Sequence, residues 1–210
     1  MNDDYNFSVK KKRPEEIYLD VSDYYRDETL KFYATSKSMM KIQERITIRA
    51  LELLDLSRKN AFILDAGSGP GFASFYLNKV GYRTIALDII AGFLYFHDLK
   101  RLNPILADMC YPPFKSDVFD AIISISSLQW IFREINNKKM RDNLINLLKS
   151  FYNVLKQNSK LIFQFYPKDD TIMKSIGKIV ADYTKFHGSF IIDNPNNPKK
   201  RKIFLLLHKD

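Results

Sequence analysis

Two aspartates bracket a cluster of glycines: Leu64-Asp65-Ala66-Gly67-Ser68-Gly69-Pro70-Gly71 is followed by Thr84-Ile85-Ala86-Leu87-Asp88-Ile89. Glycines let a backbone pass close to a ligand, and an acid closing the next apolar run can accept hydrogen bonds from ribose hydroxyls. The pattern therefore suits a nucleoside-bearing cofactor. Gly67, Gly69 and Gly71 give the spacing G-x-G-x-G, not the dinucleotide G-x-G-x-x-G. No G-x-x-x-x-G-K loop ending in Ser or Thr occurs, which disfavours a P-loop. Asp65 stands where a carboxylate can orient an ammonium group, and it would repel a pyrophosphate. S-adenosyl-L-methionine, whose aminocarboxypropyl arm carries such an ammonium, is the expected cofactor. Further on, Pro104-Ile105-Leu106-Ala107 leads into Asp108-Met109. Asp108 reads either as a loop cap or as an acid that, with the Met109 amide, meets the adenine. Its register with Asp65 and Asp88 favours the adenine. Asp65, Gly67, Ser68, Gly69, Asp88, Ile89, Asp108, Met109 and Ser126 are the expected cofactor contacts.

A second constellation is Ser126-Ser127-Leu128-Gln129-Trp130, directly after the apolar run Phe119 to Ile125. Trp130, the single tryptophan, offers a flat face on which an unstacked nucleobase can lie. Gln129 offers a donor and an acceptor for a base edge. The alternative puts Trp130 in the core and makes Gln129 a helix cap. No Cys nucleophile, no Asp/Asn-Pro-Pro-aromatic element and no acid–histidine pair follows this run. Asn194-Pro195-Asn196-Asn197-Pro198 has a superficial likeness to the second of these, but it falls after the sixth strand and reads as a basic hairpin loop. Without a general base, Gln129 and Trp130 are expected to position a base. Methylation of guanine N7 fits, because that nitrogen carries an in-plane lone pair and no proton.

Positioning these residues requires alternating strands and helices. Ala61 to Leu64, Arg83 to Leu87, Pro104 to Ala107, Phe119 to Ile125 and Lys160 to Phe165 read as strands. Phe190 to Ile192 and Ile203 to Leu207 follow as a closing strand pair joined by the Pro/Asn/Lys loop. Tyr24 to Tyr33 predicts one or more short helices. Met39, Ile42, Ile46, Ala50 and Leu53 mark an amphipathic face, as do Phe72, Phe75, Tyr76 and Val80. Met140, Leu144, Leu147, Phe151 and Leu155 predict a long helix, and Ile172, Ile176, Ile179, Tyr183 and Phe186 another. The expected fold is α/β, a doubly wound, seven-stranded class I methyltransferase sheet of Rossmann-like type with an antiparallel strand at its end. The expected organisation is a flexible basic arm over residues 1–20 and one domain over 21–210, with N-terminal helices in 21–58 and the core sheet in 59–210. The short third strand should lie at the sheet edge, where unpaired backbone groups invite a neighbouring strand. The aromatic run Phe93-Leu94-Tyr95-Phe96-His97 before it reads either as core or as a surface for a partner.

The chain has 210 residues, enough to bury a core without disulfides. One cysteine, Cys110, leaves no intramolecular disulfide and no multi-cysteine zinc site, and an intracellular setting is expected. Met1 to Arg13 is polar and basic, unlike a secretory signal, and no apolar run is long enough to span a bilayer. The net charge of +9, with basic runs Lys10-Lys11-Lys12-Arg13 and Lys199-Lys200-Arg201-Lys202, suits a polyanion such as RNA or simply a solvated surface.

From about Arg13 almost to the last residue, the chain resembles the eukaryotic small-subunit rRNA guanine-N7 methyltransferases, the family associated with Williams–Beuren syndrome. The likeness lies in Pro14-Glu15 with Ile17-Tyr18, Ile42-Gln43 with Arg45, Arg49 to Leu54, Ala107-Asp108-Met109, Pro113-Phe114-Lys115 and Phe119-Asp120. It continues in Ile123-Ser124-Ile125-Ser126 with Gln129-Trp130, Gln164 with Tyr166-Pro167, and Asp193 with Pro195-Asn196. The run Ile-Ser-Ile-Ser-x-x-Gln-Trp is more diagnostic than the glycine loop. The resemblance implies N7 methylation of one guanosine of small-subunit rRNA near the decoding region, and a role in rRNA processing and ribosome biogenesis. It also implies a small zinc-binding activator subunit pairing along the third-strand edge. The family's long basic C-terminal tail has no counterpart before Asp210, and Ser68 and Pro70 replace other small residues. A compact, archaeal-like, cytoplasmic homologue is therefore expected. Two other readings remain open: a methyltransferase for a small molecule or protein, and a non-catalytic ribosome-assembly factor.

Overall fold

A computed structural model describes residues 12–56, 58–97 and 102–210. Seven strands form one sheet: β1 (Phe62–Ala66), β2 (Arg83–Asp88), β3 (Asn103–Leu106), β4 (Phe119–Ile125), β5 (Leu155–Phe165), β6 (His187–Asp193) and β7 (Lys202–Lys209). Their order is β3-β2-β1-β4-β5-β7-β6. The first five run parallel, with Leu64 opposite Ile85 and Ile122 opposite Leu161, and β7 runs antiparallel between β5 and β6. Successive strand residues face opposite sides, so both faces of the apolar runs are covered. On one face Ile63, Ala121, Ile123 and Ile162 pack with Ile46, Ala50 and Leu54 of α3 (Lys37–Leu54) and Leu77 of α4 (Phe72–Lys79). On the other, Leu64, Ile122 and Phe163 pack with Leu144, Leu147 and Phe151 of α5 (Lys138–Val154) and Ile176 of α6 (Asp170–Tyr183). Asn137 and Asp169 cap the last two helices by accepting from Met140 N and Ile172 N.

From β1 the chain winds outward through β2 to β3, then crosses to β4 on the other side. This reversal opens a crevice at the carboxyl ends of β1 and β4, where ligands of such sheets bind. The strand pattern and the edge position of β3 match the sequence expectation. β3 begins one residue earlier than expected, and β5 starts at Leu155, directly from the end of α5.

Two helix faces differ from their apolar spacing. In α3, Ile42 is exposed, while Gln43 and Thr47 are buried beside Ile46 and Ala50. In α4, Phe75 and Val80 are exposed and Ala73, Ser74 and Leu77 are buried. Gln43 and Ala73 turn inward to line the site, Ser74 donates to Asp65 Oδ2, and Thr47 donates to Gln43 O within its own helix. The N-terminal arm also differs for the residues described. Pro14–Glu16 forms a turn of 3-10 helix, Glu15 is buried, and Arg13 Nη1 donates to Tyr166 O at 2.8 Å. Residues 1–11, with Lys10 and Lys11 of the first basic run, lie outside the described residues. No helix among those described is long and apolar enough to cross a membrane.

Candidate functional site

A cavity of about 610 Å³ opens at the carboxyl ends of β1, β2 and β4. Its floor is the glycine loop. Gly67 N and Ser68 N both donate to Leu87 O, at 2.8 and 3.0 Å, binding the loop to the end of β2. Gly67 has φ +73°, and a Cβ there would collide with the Ser127 hydroxyl, which itself donates to Gly67 O at 3.1 Å. Gly71 has φ +84°, and a Cβ there would meet the His97 ring at 2.8 Å. His97 Nε2 lies 2.9 Å from Gly69 O, and burial pushes this imidazole down, so it reaches the carbonyl as a neutral donor. His97 belongs to the aromatic run ahead of β3, and its spacing carried no hint of this contact.

Asp88 is buried at the end of β2. Its Oδ2 accepts from Gly69 N at 2.7 Å and its Oδ1 from Ile90 N at 2.8 Å. Burial pushes the carboxyl up, and these bonds pull it back. A carboxylate offers about four acceptor positions, so capacity for ribose hydroxyls remains. Asp65 is fully buried at the end of β1. Desolvation pushes it up to about 7, against a 2.5 Å bond from Ser74 Oγ that favours the charged form. A cation beside it would restore its charge. Ser68 Oγ is buried in the wall with no partner among the described residues, an orphan that a polar ligand would satisfy. Asp108 Oδ1 accepts from Cys110 N at 2.8 Å, so it caps its loop and lines the cavity at once. Met109 packs beside it, and Ile89 stands at the rim, 52% exposed. Burial raises the Cys110 thiol, which removes it as a nucleophile.

The wall beyond β4 begins with Ser126, held at φ +59° in the left-handed region that a non-glycine residue enters at a cost of about 1–3 kcal/mol. Three glutamines hold it. Gln164 O accepts from Ser126 N at 2.8 Å, and Gln164 Oε1 accepts from Ser126 Oγ at 3.0 Å. Gln129 Nε2 donates to Ser126 O at 2.8 Å, and Gln43 Nε2 donates to Ser126 Oγ at 3.3 Å. The one-turn helix Leu128–Ile131 follows and places Trp130 in the cavity wall. Its ring stacks on Tyr24 with centroids 6.0 Å apart and tilts against Tyr25 at 6.1 Å.

Of the expected site residues, the structure brings Asp65, Gly67, Ser68, Gly69, Asp88, Ile89, Asp108, Met109, Ser126 and Trp130 to this one cavity. Gln129 is not among them. It bonds back to Ser126 O and lines a separate hollow of about 80 Å³ beside Glu15 and Tyr166; nor does it cap a helix, since it lies within the Leu128–Ile131 turn, whose N-cap is Ser127. Sequence reading missed Tyr25, Tyr33, Gln43 and Phe93, which roof the cavity, and Asn137, Lys139 and Asn143 at its mouth. Gln43 alone had a visible signal, a polar residue inside the apolar face of a helix.

The donor set fits S-adenosylmethionine: carboxylates for an ammonium and a ribose, an orphan hydroxyl, and apolar walls for the rest. A methyltransferase domain family matches residues 64–163, from within β1 to within β5. The magnesium protoporphyrin IX methyltransferase of Synechocystis, solved with bound S-adenosylmethionine, superposes with a TM-score of 0.66 at 14% identity, over 97% of this chain and 100% of that one. It shares the class I methyltransferase fold. The 18S rRNA (guanine-N7)-methyltransferase of Bos taurus is 34% identical over 203 residues, 92% of this chain and 68% of that protein. The 18S rRNA (guanine(1575)-N7)-methyltransferase of Saccharomyces cerevisiae is 35% identical over 192 residues, 88% of this chain and 68% of that protein. The chain thus spans about two thirds of the length of these relatives. Likeness of this degree over nearly its whole length makes the chain a member of the 18S rRNA (guanine-N7)-methyltransferase family.

Proposed function

We propose that the chain transfers a methyl group from S-adenosylmethionine to N7 of a guanine in small-subunit rRNA. One observation carries this reading: the cavity wall beyond β4 is built for holding a base and not for removing a proton. It presents Ser126, Ser127 and Trp130, and the roof over it adds Gln43 and two tyrosines. Burial raises Tyr25 and pushes Tyr33 up to about 12, so both stay protonated. Asp20 at the rim is occupied in capping α1 (Val21–Tyr24), and hydrogen bonds from Ser22 hold it below the usual carboxylate range. It is a poor base. Guanine N7 needs none.

When bound, the cofactor supplies an electrophilic methyl group on a sulfonium. In this reading Asp65 would meet its ammonium, Asp88 its ribose, and Asp108 with Met109 its adenine; all four line the cavity. Trp130 offers the face against which the base lies. Holding two reacting groups in line and dry lowers a barrier by about 7 kcal/mol in good cases.

The exposed apolar side chains Ile89, Tyr95 (88% exposed) and Leu106 (58% exposed) lie on and beside the β2–β3 edge. They support a small zinc-binding activator subunit that pairs with β3. A ribosomal substrate would place the reaction in the cytoplasm. The test is methyl transfer from labelled cofactor to small-subunit particles and to free nucleotides, with the modified base mapped. Label at a guanine N7 of the rRNA is expected. Label in a small metabolite or a protein would move the activity to that class, and label nowhere would support a non-catalytic assembly role.

A further inference from the structure

We propose that the hairpin between β6 and β7, with Arg13 and Lys202 at its base, is the track that holds the sugar-phosphate backbone of the substrate RNA. This inference rests on the reading of the chain as an RNA methyltransferase and adds the surface that grips the strand. β6 runs parallel to β5 through the intervening antiparallel β7, with Phe165 opposite Ile203 and Asp193 opposite Lys202. The hairpin therefore emerges at the carboxyl end of the sheet, the end that holds the cavity.

Its sequence is acid-free: residues 194–201 read Asn-Pro-Asn-Asn-Pro-Lys-Lys-Arg. The flanking Asp193 is already paired with Arg49 at 2.9 Å. The loop has a built shape. Lys200 N and Arg201 N both donate to Asn197 O, at 3.0 and 2.8 Å, and Arg201 Nε donates to Pro195 O at 3.0 Å. Lys199 and Lys200 stand exposed on this turn.

Below them, two cations share one aromatic ring. Lys202 Nζ lies 5.8 Å from the Tyr166 centroid and Arg13 Cζ lies 5.4 Å from it. Arg13 is fixed there by donating to Tyr166 O and Pro167 O. Lys202 is half-buried, burial pushes its ammonium down, and its Nζ donates to Arg201 O at 3.5 Å. Such a cation gains a charge-assisted bond from an incoming phosphate. The Tyr166 hydroxyl in turn bonds to Ser126 and Gln164, so one ring separates the cations from the cavity wall. A group of cations on one hairpin and its base suits the phosphates of a strand, and the amides of Asn194, Asn196 and Asn197 suit sugar and phosphate oxygens.

The test uses the full chain and a transcript of the decoding region of small-subunit rRNA, with anisotropy measured over a salt series. In Lys199→Glu/Lys200→Glu the affinity should fall about tenfold or more. The slope of log K against log salt should become shallower by about 1.4, the value for two lost contacts to a single strand. Cofactor affinity by calorimetry should not change, which also reports that the variant folds. Lys202→Met should weaken RNA binding in the same way. Unchanged affinity and slope in both variants, with a wild type that binds and methylates the RNA, overturns the track and leaves the rRNA reading standing. A wild type that binds no rRNA transcript and methylates no small-subunit particle, alone or with its co-expressed subunit, defeats that reading itself. If the double variant loses polyglutamate and keeps RNA, the hairpin serves an acidic protein and the proposal falls.

Discussion

Asp65 and Asp88 stand at adjacent strand ends in the same cavity, but their surroundings give them different tasks. Asp88 accepts from two backbone amides, at 2.7 and 2.8 Å, and lines the cavity. Each charge-assisted bond to a ribose hydroxyl is worth about 1.5–3 kcal/mol. Asp88→Ala should therefore weaken cofactor binding by at least tenfold, measured by calorimetry on a folded variant; unchanged affinity would remove Asp88 from the ribose. Asp65 has one hydroxyl partner, and burial lifts its pKa from 3.8 to about 7. The folded state thus binds a proton that the unfolded state gives up near pH 4. Between about pH 4 and 7 stability falls as pH rises, and above 7 the whole cost, on the order of a few kcal/mol, is present. Asp65→Asn removes that cost. Its melting temperature should exceed that of the wild type at pH 8 and converge on it near pH 4, in the absence of ligand. The same variant should bind cofactor more weakly, because no carboxylate remains for the ammonium. For the wild type, cofactor affinity should drop as pH falls below about 7. A pH-independent affinity would show that Asp65 does not meet the cation.

At the scale of elements, the site is the meeting of a rigid sheet end with a helical roof. The β4 end delivers Ser126 in a left-handed conformation, from which the short Leu128–Ile131 helix projects Trp130. The roof comes from α1 and from α2 (Asp27–Thr35), whose Tyr33 packs with Tyr25 and Phe93 at 5.2 and 5.8 Å. Tyr24 stacks on Trp130 from the same roof. Trp130→Ala should leave cofactor affinity within a few-fold and lower methyl transfer to RNA by about ten- to a hundredfold, since stacking on a base contributes about 1–3 kcal/mol. Normal transfer would make Trp130 a bystander, and a lowered melting temperature with lost cofactor binding would make it core. The motif of this segment was plain in the sequence. Its Tyr24 cover was not, because those rings lie about a hundred positions apart in the chain and meet only through the roof.

At the scale of the whole molecule, the sheet has two unlike edges. β6 closes one side, next to the basic hairpin. β3 closes the other with four residues, beside Ile89, Tyr95 and Leu106, all more than half exposed. An edge of this kind is a template for pairing with another chain. The isolated protein should therefore be poorly soluble or poorly active, and should improve on co-expression with a small zinc-binding subunit. Leu106→Lys should abolish that co-purification and raise the solubility of the isolated chain. A wild-type chain that is monomeric, stable and fully active alone would overturn the partner.

The sequence by itself determined the fold class, the strands and most of their ends, the edge position of β3 and most of the residues expected at the site that line the cavity. These follow from signals carried by neighbouring residues: apolar runs of strand length, glycines spaced for a tight loop, and acids that end the runs. Only the tertiary structure decided the direction of Gln129, the reach of His97 to Gly69 O, and the inward face of α3 with Gln43 on it. It also placed residues 12–20 against the body by Arg13 and Glu15, where polarity alone suggested an arm. Each of these is set by a hydrogen bond or a packing contact between segments distant in the chain. Periodicity records which residues prefer burial; it does not record which polar group finds its partner there.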